Sequence, residues 1–146
     1  MATTTAPIAS TTAHLGWNQA LGVAGATLAA VAVWILAIPV LGTALVVQFG
    51  DGAPQTIGIE LVTLGSLTGS LLGLGALFAL EKFTSRARMI WTAVAIGVLL
   101  VSLSLPLVAG TTASAKAALA LMHLAVASVL IPALRHRPSH SAFPRR

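Results

Sequence analysis

The chain contains no cysteine and few charged residues, and both features restrict what it can be. Without cysteine it has no disulfide, no thiolate nucleophile and no cysteine-ligated metal, which excludes a thiol–disulfide oxidoreductase. Charged residues make up 8% of the 146 positions and hydrophobic residues 57%, whereas a soluble domain carries about 25% charged residues. This composition cannot build a water-facing surface, so it predicts a single domain whose solvent is a bilayer.

Four long apolar runs follow one another along the chain. A helix needs about 20 apolar residues to cross the hydrocarbon core of a membrane, and the runs occupy residues 21–47, 56–80, 89–108 and 117–134. The connections between them are short and polar, so neighbouring helices should be antiparallel. The sequence therefore predicts an all-α integral membrane four-helix bundle with up-down topology over residues 17–135. We expect residues 1–16 and 136–146 to be disordered, because they are polar or interrupted by proline.

The basic residues are divided unequally between the two sides of this bundle. One side holds the two termini and the middle loop, and it carries Lys82, Arg86, Arg88, Arg135, Arg137, Arg145 and Arg146. Only Lys116 lies on the other side. The positive-inside rule then predicts a multi-pass protein of the plasma membrane with both termini in the cytoplasm. We expect the basic side to contact anionic headgroups, Trp17 and Trp91 to lie at the cytoplasmic interface, and no nucleic acid to bind.

The second run carries a stripe of small residues on one face. Gly65, Gly69 and Gly73 recur every four positions, and glycines at this spacing allow another helix backbone to approach closely. The partner is either another span of the same chain or the same span of a second copy, which would make a homo-oligomer. The opposite face gathers polar side chains, among them Thr63, Ser66 and Ser70. A helix with these two faces should lie inside the bundle, whereas Pro39 should kink the first span.

Glu60 and His123 are ionisable residues within the apolar runs, and they are the candidates for chemistry. Ionisable groups at membrane depth usually face the bundle interior or a water-filled cavity. One interpretation is a polar pocket open to the outside, with Glu60 as a titrating carboxylate and His123 at its floor. The alternative is structural: Glu60 pairs with Lys116 in the outer half of the bundle, and His123 bonds to a serine of a neighbouring span.

The sequence contains no recognisable motif for catalysis or for a cofactor. There is no glycine-rich phosphate loop and no serine–histidine–acid set in a plausible context. A single intramembrane histidine cannot supply two axial haem ligands. We therefore expect no metal and no cofactor.

Short hydrophobic motifs carry a resemblance to a known family. The segments are Ser102, Leu103 and Pro106 at the end of the third run and LMHLAVASVLIP, from Leu121 to Pro132, in the fourth. Together with Trp91 and Pro39, they resemble a family of small four-span membrane proteins of high-GC Gram-positive bacteria, catalogued as a domain of unknown function. The resemblance covers most of the chain from Trp17. It implies the four-helix architecture and nominates His123, but it implies no activity.

Three functions are compatible with these features. The first is a non-catalytic packing or assembly partner in the membrane, which the glycine stripe favours. The second is a transporter or channel for protons or a small solute, in which Glu60 and His123 line the path. The third is a membrane-embedded acid–base enzyme acting on a lipophilic, isoprenoid-like substrate, with Glu60 as the acid. The missing catalytic motif favours a protein that is not an enzyme.

Overall fold

Four long helices make up most of the chain in the computed structural model, which describes residues 16–135. Each is long and apolar enough to cross a membrane. Their bounds are Trp17–Ile35 for α1, Ile59–Phe83 for α2, Ala87–Ala109 for α3 and Ala113–Arg135 for α4. The expected all-α membrane bundle is confirmed. The predicted disordered segments, with Arg137, Arg145 and Arg146, lie outside the described residues apart from Gly16, which is the N-cap of α1.

The helices pack as a four-membered ring. α1 packs against α4 and α2, and α3 packs against the same two helices from the other side. α2 and α4 therefore lie across a diagonal and barely touch. Because the connections at residues 84–86 and 110–112 are short, α3 is antiparallel to α2 and α4. Gly22 lies against Ala133 and Gly25 against Val129, so α1 is antiparallel to α4. We call the end near Trp17, Phe83 and Arg135 the terminal end, and the opposite end the hairpin end.

The first span is shorter than the apolar run that predicts it. The run extends to Val47 without a charge, but α1 ends at Ile35 and a π-helical turn, Leu36–Val40, follows around Pro39. Proline lacks the N–H that an α-helix needs and its ring clashes with the preceding turn. Gly42, at φ 64°, then turns the chain away from the helix axis. Hydrophobicity alone could not reveal this end, because the residues beyond it remain apolar.

A short β-hairpin covers one end of the bundle. β1 (Val46–Val47) pairs antiparallel with β2 (Gln55–Thr56), so the second span begins at Ile59 and not at Thr56. The Gln48 N–H donates to the Ala109 carbonyl at 2.8 Å, which joins the hairpin to the end of α3. Leu45 is completely buried beneath it.

The closest helix contact is between α1 and α4. A Cβ added at Gly22 would lie 2.7 Å from the Cβ of Ala133, and one at Gly25 would lie 3.2 Å from Val129. Glycine at these positions therefore permits a contact that no larger residue allows without movement. Small residues thus do bring two helices together, but on α1 rather than on α2.

At the terminal end, Arg88 links three helices. Its Nη2 lies 2.9 Å from Oε1 of Glu81 in α2, and its Nη1 donates to the carbonyl of Leu134 in α4 at 2.6 Å. That carbonyl is in the last turn of its helix, where acceptors have no partner within the helix. Arg88 therefore has a structural role in addition to the one that the charge distribution assigns to it.

Candidate functional site

A groove of about 660 Å³ runs along the bundle between α2 and α3, with α4 as its back wall. It lies within the spans and its walls are largely apolar. The groove exists because one face of α2 has almost no side chains to fill it. That face consists of Gly65, Gly69, Gly73 and Ala76.

The predicted packing stripe on α2 forms a wall of this groove. Apart from the adjacent backbone of α2 itself, no heavy atom lies within 4 Å of a Cβ built at Gly65 or Gly69. At Gly73 the nearest atoms belong to Trp91 and Leu130, each at 3.8 Å. Within the chain, then, only Gly73 meets a neighbouring helix, and the other two glycines border open space.

Trp91 closes the groove toward the terminal end. Its indole N–H donates to the carbonyl of Gly73 at 2.7 Å, and its side chain is 3% exposed. Trp91 therefore packs inside the bundle, and its expected position at the cytoplasmic interface stays a prediction. The bare backbone at Gly73 gives the ring a place to pack, and the carbonyl satisfies its donor. Trp17, by contrast, is 77% exposed near the end of α1.

His123 is the ionisable side chain that lines the groove, and one of its two ring nitrogens already forms a hydrogen bond. Its Nδ1 lies 2.8 Å from the Leu119 carbonyl, one turn earlier in α4. A carbonyl oxygen only accepts, so Nδ1 carries a proton, and in this tautomer of the neutral imidazole Nε2 is a hydrogen-bond acceptor. The structural alternative was a hydrogen bond from His123 to a serine of a neighbouring span, but Nδ1 bonds to a carbonyl of its own helix.

Two serines line the groove together with His123. Ser66 donates its hydroxyl to the Val62 carbonyl at 2.7 Å, so its oxygen can still accept a hydrogen bond. Ser102 faces the groove from α3. These side chains are isolated polar positions on walls that are otherwise apolar.

Glu60 lies outside the groove. It is exposed in the first turn of α2, where a negative charge is favoured by the helix dipole. Its carboxylate folds back over Gly58, so that a Cβ at position 58 would collide with it. The structure forms no ion pair between Glu60 and Lys116, whose aliphatic chain packs over Gly110 instead. Glu60 and His123 are thus not brought into one pocket.

The remaining predicted polar residues of α2 are also not part of the groove. Ser70 is fully buried, and its hydroxyl has no hydrogen-bond partner among residues 16–135. Thr63 is half-buried and does not line the groove. Of the polar face that the sequence indicated, only Ser66 reaches it.

Metal binding finds no support in the part of the chain that the structure describes. Residues 16–135 contain no group of three histidine, aspartate or glutamate side chains that could hold an ion. Most of the residues that line the groove, among them Trp91, Met122 and Leu99, could not be assigned to it from the sequence. The available signal was the continuation of the glycine stripe into Ala76, which indicates a face without bulk but does not reveal whether another helix fills it.

The comparisons with known proteins agree with the fold and add no activity. No curated protein and no solved structure matches the chain. The family of unknown function DUF6069 matches residues 10–140, which include all four helices. The expected likeness to an uncharacterised four-span family is thereby confirmed, while the bacterial origin that it suggested stays a prediction. The chain belongs to the DUF6069 family.

Proposed function

We propose that this multi-pass membrane protein is a non-catalytic lipid-binding protein that holds one extended hydrocarbon chain in its lateral groove. The observation that carries the proposal is the shape of the groove. Its volume of about 660 Å³ falls within the range of about 300–1,000 Å³ that is usual for small-molecule sites.

The dimensions favour a chain-like ligand over a bulky one. The groove follows α2 from Leu61 to Ala76, about 22 Å of helix axis, so it is long relative to its volume of about 660 Å³. A single extended hydrocarbon chain fits along a site of this shape.

The chemistry of the walls supports the same ligand. Gly65, Gly69, Val98 and Val126 present only apolar surface to the groove. Empty space beside these walls forfeits dispersion contacts, and a chain drawn from the surrounding bilayer restores them. The groove lies along the spans, so such a chain reaches it without crossing water.

A packing or assembly partner is the second candidate. The open space over Gly65 and Gly69 favours it, because a helix from another protein or a second copy can lie across the groove mouth without entering it. The transporter and acid–base enzyme hypotheses both need Glu60 and His123 to face one cavity. Glu60 does not line the groove, so the geometry favours neither.

A pair of matched glycine variants tests the proposed function. Gly69 and Gly97 both have open space where a side chain would go, but only Gly69 lines the groove. We expect Gly69→Phe to fill the groove and abolish the retention of one lipid per chain, measured by native mass spectrometry from mild detergent. Gly97→Phe should retain the lipid, and both variants should unfold at the wild-type temperature.

Two results would contradict lipid binding. One is a wild-type protein that leaves the micelle free of lipid under conditions that preserve its fold. The other is a defined oligomer or hetero-complex that Gly69→Phe dissociates while lipid occupancy is unchanged, which would favour the assembly role.

We also propose the orientation that the charges indicate, with both termini in the cytoplasm and the protein in the plasma membrane. Lys82, Arg86, Arg88 and Arg135 lie at the terminal end, against Lys116 at the hairpin end. Arg88 is engaged by Glu81 and Leu134, so the exposed cations Lys82, Arg86 and Arg135 are the better candidates for contact with anionic headgroups.

A further inference from the structure

We propose that the ligand of the groove is a long-chain aliphatic alcohol, whose hydroxyl donates a hydrogen bond to Nε2 of His123. This inference rests on the proposed function and names the class of lipid. It depends on three features of the groove: the hydrogen bond that selects the tautomer of His123, the position of that residue, and the scarcity of donors around it.

The hydrogen bond of His123 gives the groove an acceptor. Nδ1 donates to the Leu119 carbonyl at 2.8 Å, and in this tautomer of the neutral imidazole the lone pair is on Nε2. No side chain or backbone group within residues 16–135 donates to Nε2. A polar atom left without a partner in an apolar environment raises the free energy of the protein, and a ligand with a hydroxyl supplies the missing donor.

The position of His123 sets where the hydroxyl must lie. His123 is ten residues from the start of α4 at Ala113, about 15 Å along the helix axis. Toward the terminal end the groove continues to Ile131, a further eight residues or about 12 Å. The alcohol therefore lies with its hydroxyl near the middle of the bundle, the first part of its chain along the apolar part of the groove and the rest extending past Ile131.

The other polar groups of the groove favour a donor over an acceptor. The Ser66 hydroxyl already donates its hydrogen bond to the Val62 carbonyl, and the indole N–H of Trp91 donates to the Gly73 carbonyl. Both groups are therefore unable to donate to a ligand. Among the polar side chains that line the groove, only Ser102 keeps a hydroxyl that can donate. A lipid whose polar atoms only accept, such as an ether or an ester, finds few partners here.

The test compares two ligands of the same shape that differ in one donor. Hexadecan-1-ol and 1-methoxypentadecane, which have the same number of non-hydrogen atoms, are titrated separately into delipidated protein in detergent, and occupancy is read by native mass spectrometry. We expect the wild-type protein to bind the alcohol about 3- to 10-fold more tightly than the ether, the ratio that one net hydrogen bond provides. In His123→Leu the ratio should fall to about one, while the ether binds as in the wild type.

A matched control lies on the same helix. Ser128 is exposed, donates to the Ala125 carbonyl at 2.9 Å and does not line the groove, so Ser128→Ala should keep the preference for the alcohol. If His123→Leu does not fold, His123→Ala removes the imidazole without added branching and serves the same comparison.

The outcomes separate this inference from the function on which it rests. Equal binding of alcohol and ether by the wild-type protein overturns the alcohol and leaves a chain-binding groove. A preference that survives in both His123 variants overturns the role of Nε2. Binding of neither ligand by folded wild-type protein overturns the proposed function itself.

Discussion

Single side chains join the helices of this bundle by donating to backbone carbonyls. Trp91 of α3 donates to Gly73 of α2, Arg88 of α3 to Leu134 of α4, and Trp34 of α1 to Ile57 just before α2. Inside a bilayer no water competes for these acceptors, and a donor without a partner is strongly unfavourable. Each of these long side chains therefore both fills space and fixes the relative position of two elements.

Replacement of Trp91 by phenylalanine tests this role. Trp91→Phe keeps an aromatic ring but removes the N–H that Gly73 accepts at 2.7 Å. We expect a loss of about 0.5–1.5 kcal/mol in the free energy of unfolding, measured by titration with a denaturing detergent. Trp17→Phe, at a position 77% exposed, is the control and should leave stability unchanged. A Trp91→Phe protein as stable as the wild type would show that the hydrogen bond contributes nothing measurable.

At the scale of elements, glycines on two helices have opposite roles. On α1, Gly22 lets α4 approach so closely that an added methyl would lie 2.7 Å from the Cβ of Ala133. On α2, Gly65 and Gly69 face open space and shape a groove. The spacing pattern GxxxGxxxG is on α2, yet the closest helix contact is on α1, whose glycines are Gly22 and Gly25.

A pair of alanine substitutions separates these two roles. Gly22→Ala should destabilise the bundle by about 1–3 kcal/mol, because the helices must move apart to admit the methyl group. Gly65→Ala adds the same group where nothing lies within 4 Å, so it should not reduce stability and should slightly favour the helix. Thermal unfolding in detergent, followed by circular dichroism, measures both. An equal loss of stability in the two variants would contradict the assignment of the closest contact to α1.

At the scale of the whole molecule, the two ends of the bundle differ in charge, and the β-hairpin covers one of them. The terminal end carries most of the cations in the described chain, and the hairpin end is closed by β1, β2 and their bonds to Ala109 and Thr111. If the terminal end is cytoplasmic, the hairpin faces the outside. The absence of native cysteine allows a direct test with single introduced thiols.

Accessibility to a membrane-impermeant maleimide reports the orientation. Ala53→Cys places a thiol in the exposed hairpin loop, and Ser85→Cys places one in the exposed connection between α2 and α3. We expect Ala53→Cys to react in intact cells and Ser85→Cys to react only after permeabilisation. The reverse pattern would contradict the orientation, and the cysteine-free parent protein controls for background labelling.

The architecture could be predicted from the sequence, but much of the site could not. The sequence contains four apolar runs, which are separated by polar connections and hold at most one charged residue each. This pattern predicts four spanning helices, and the structure has them. His123 was identified because an ionisable residue stands out in an apolar run, and it does line the groove. Glu60 stood out for the same reason, but it lies in the first turn of α2, since the β-hairpin moves the start of that helix to Ile59.

The sequence by itself determined the number of spans, their antiparallel order and the surplus of cations on one side. These properties follow from hydrophobicity and charge, which are read one residue at a time. Only the tertiary structure decided that Gly22 meets Ala133, that Trp91 is buried against Gly73, and that Gly65 and Gly69 border a groove. The physical reason is that lipid solvates every apolar face equally well. Hydrophobicity therefore does not select which faces meet, and shape and hydrogen bonding between distant residues do.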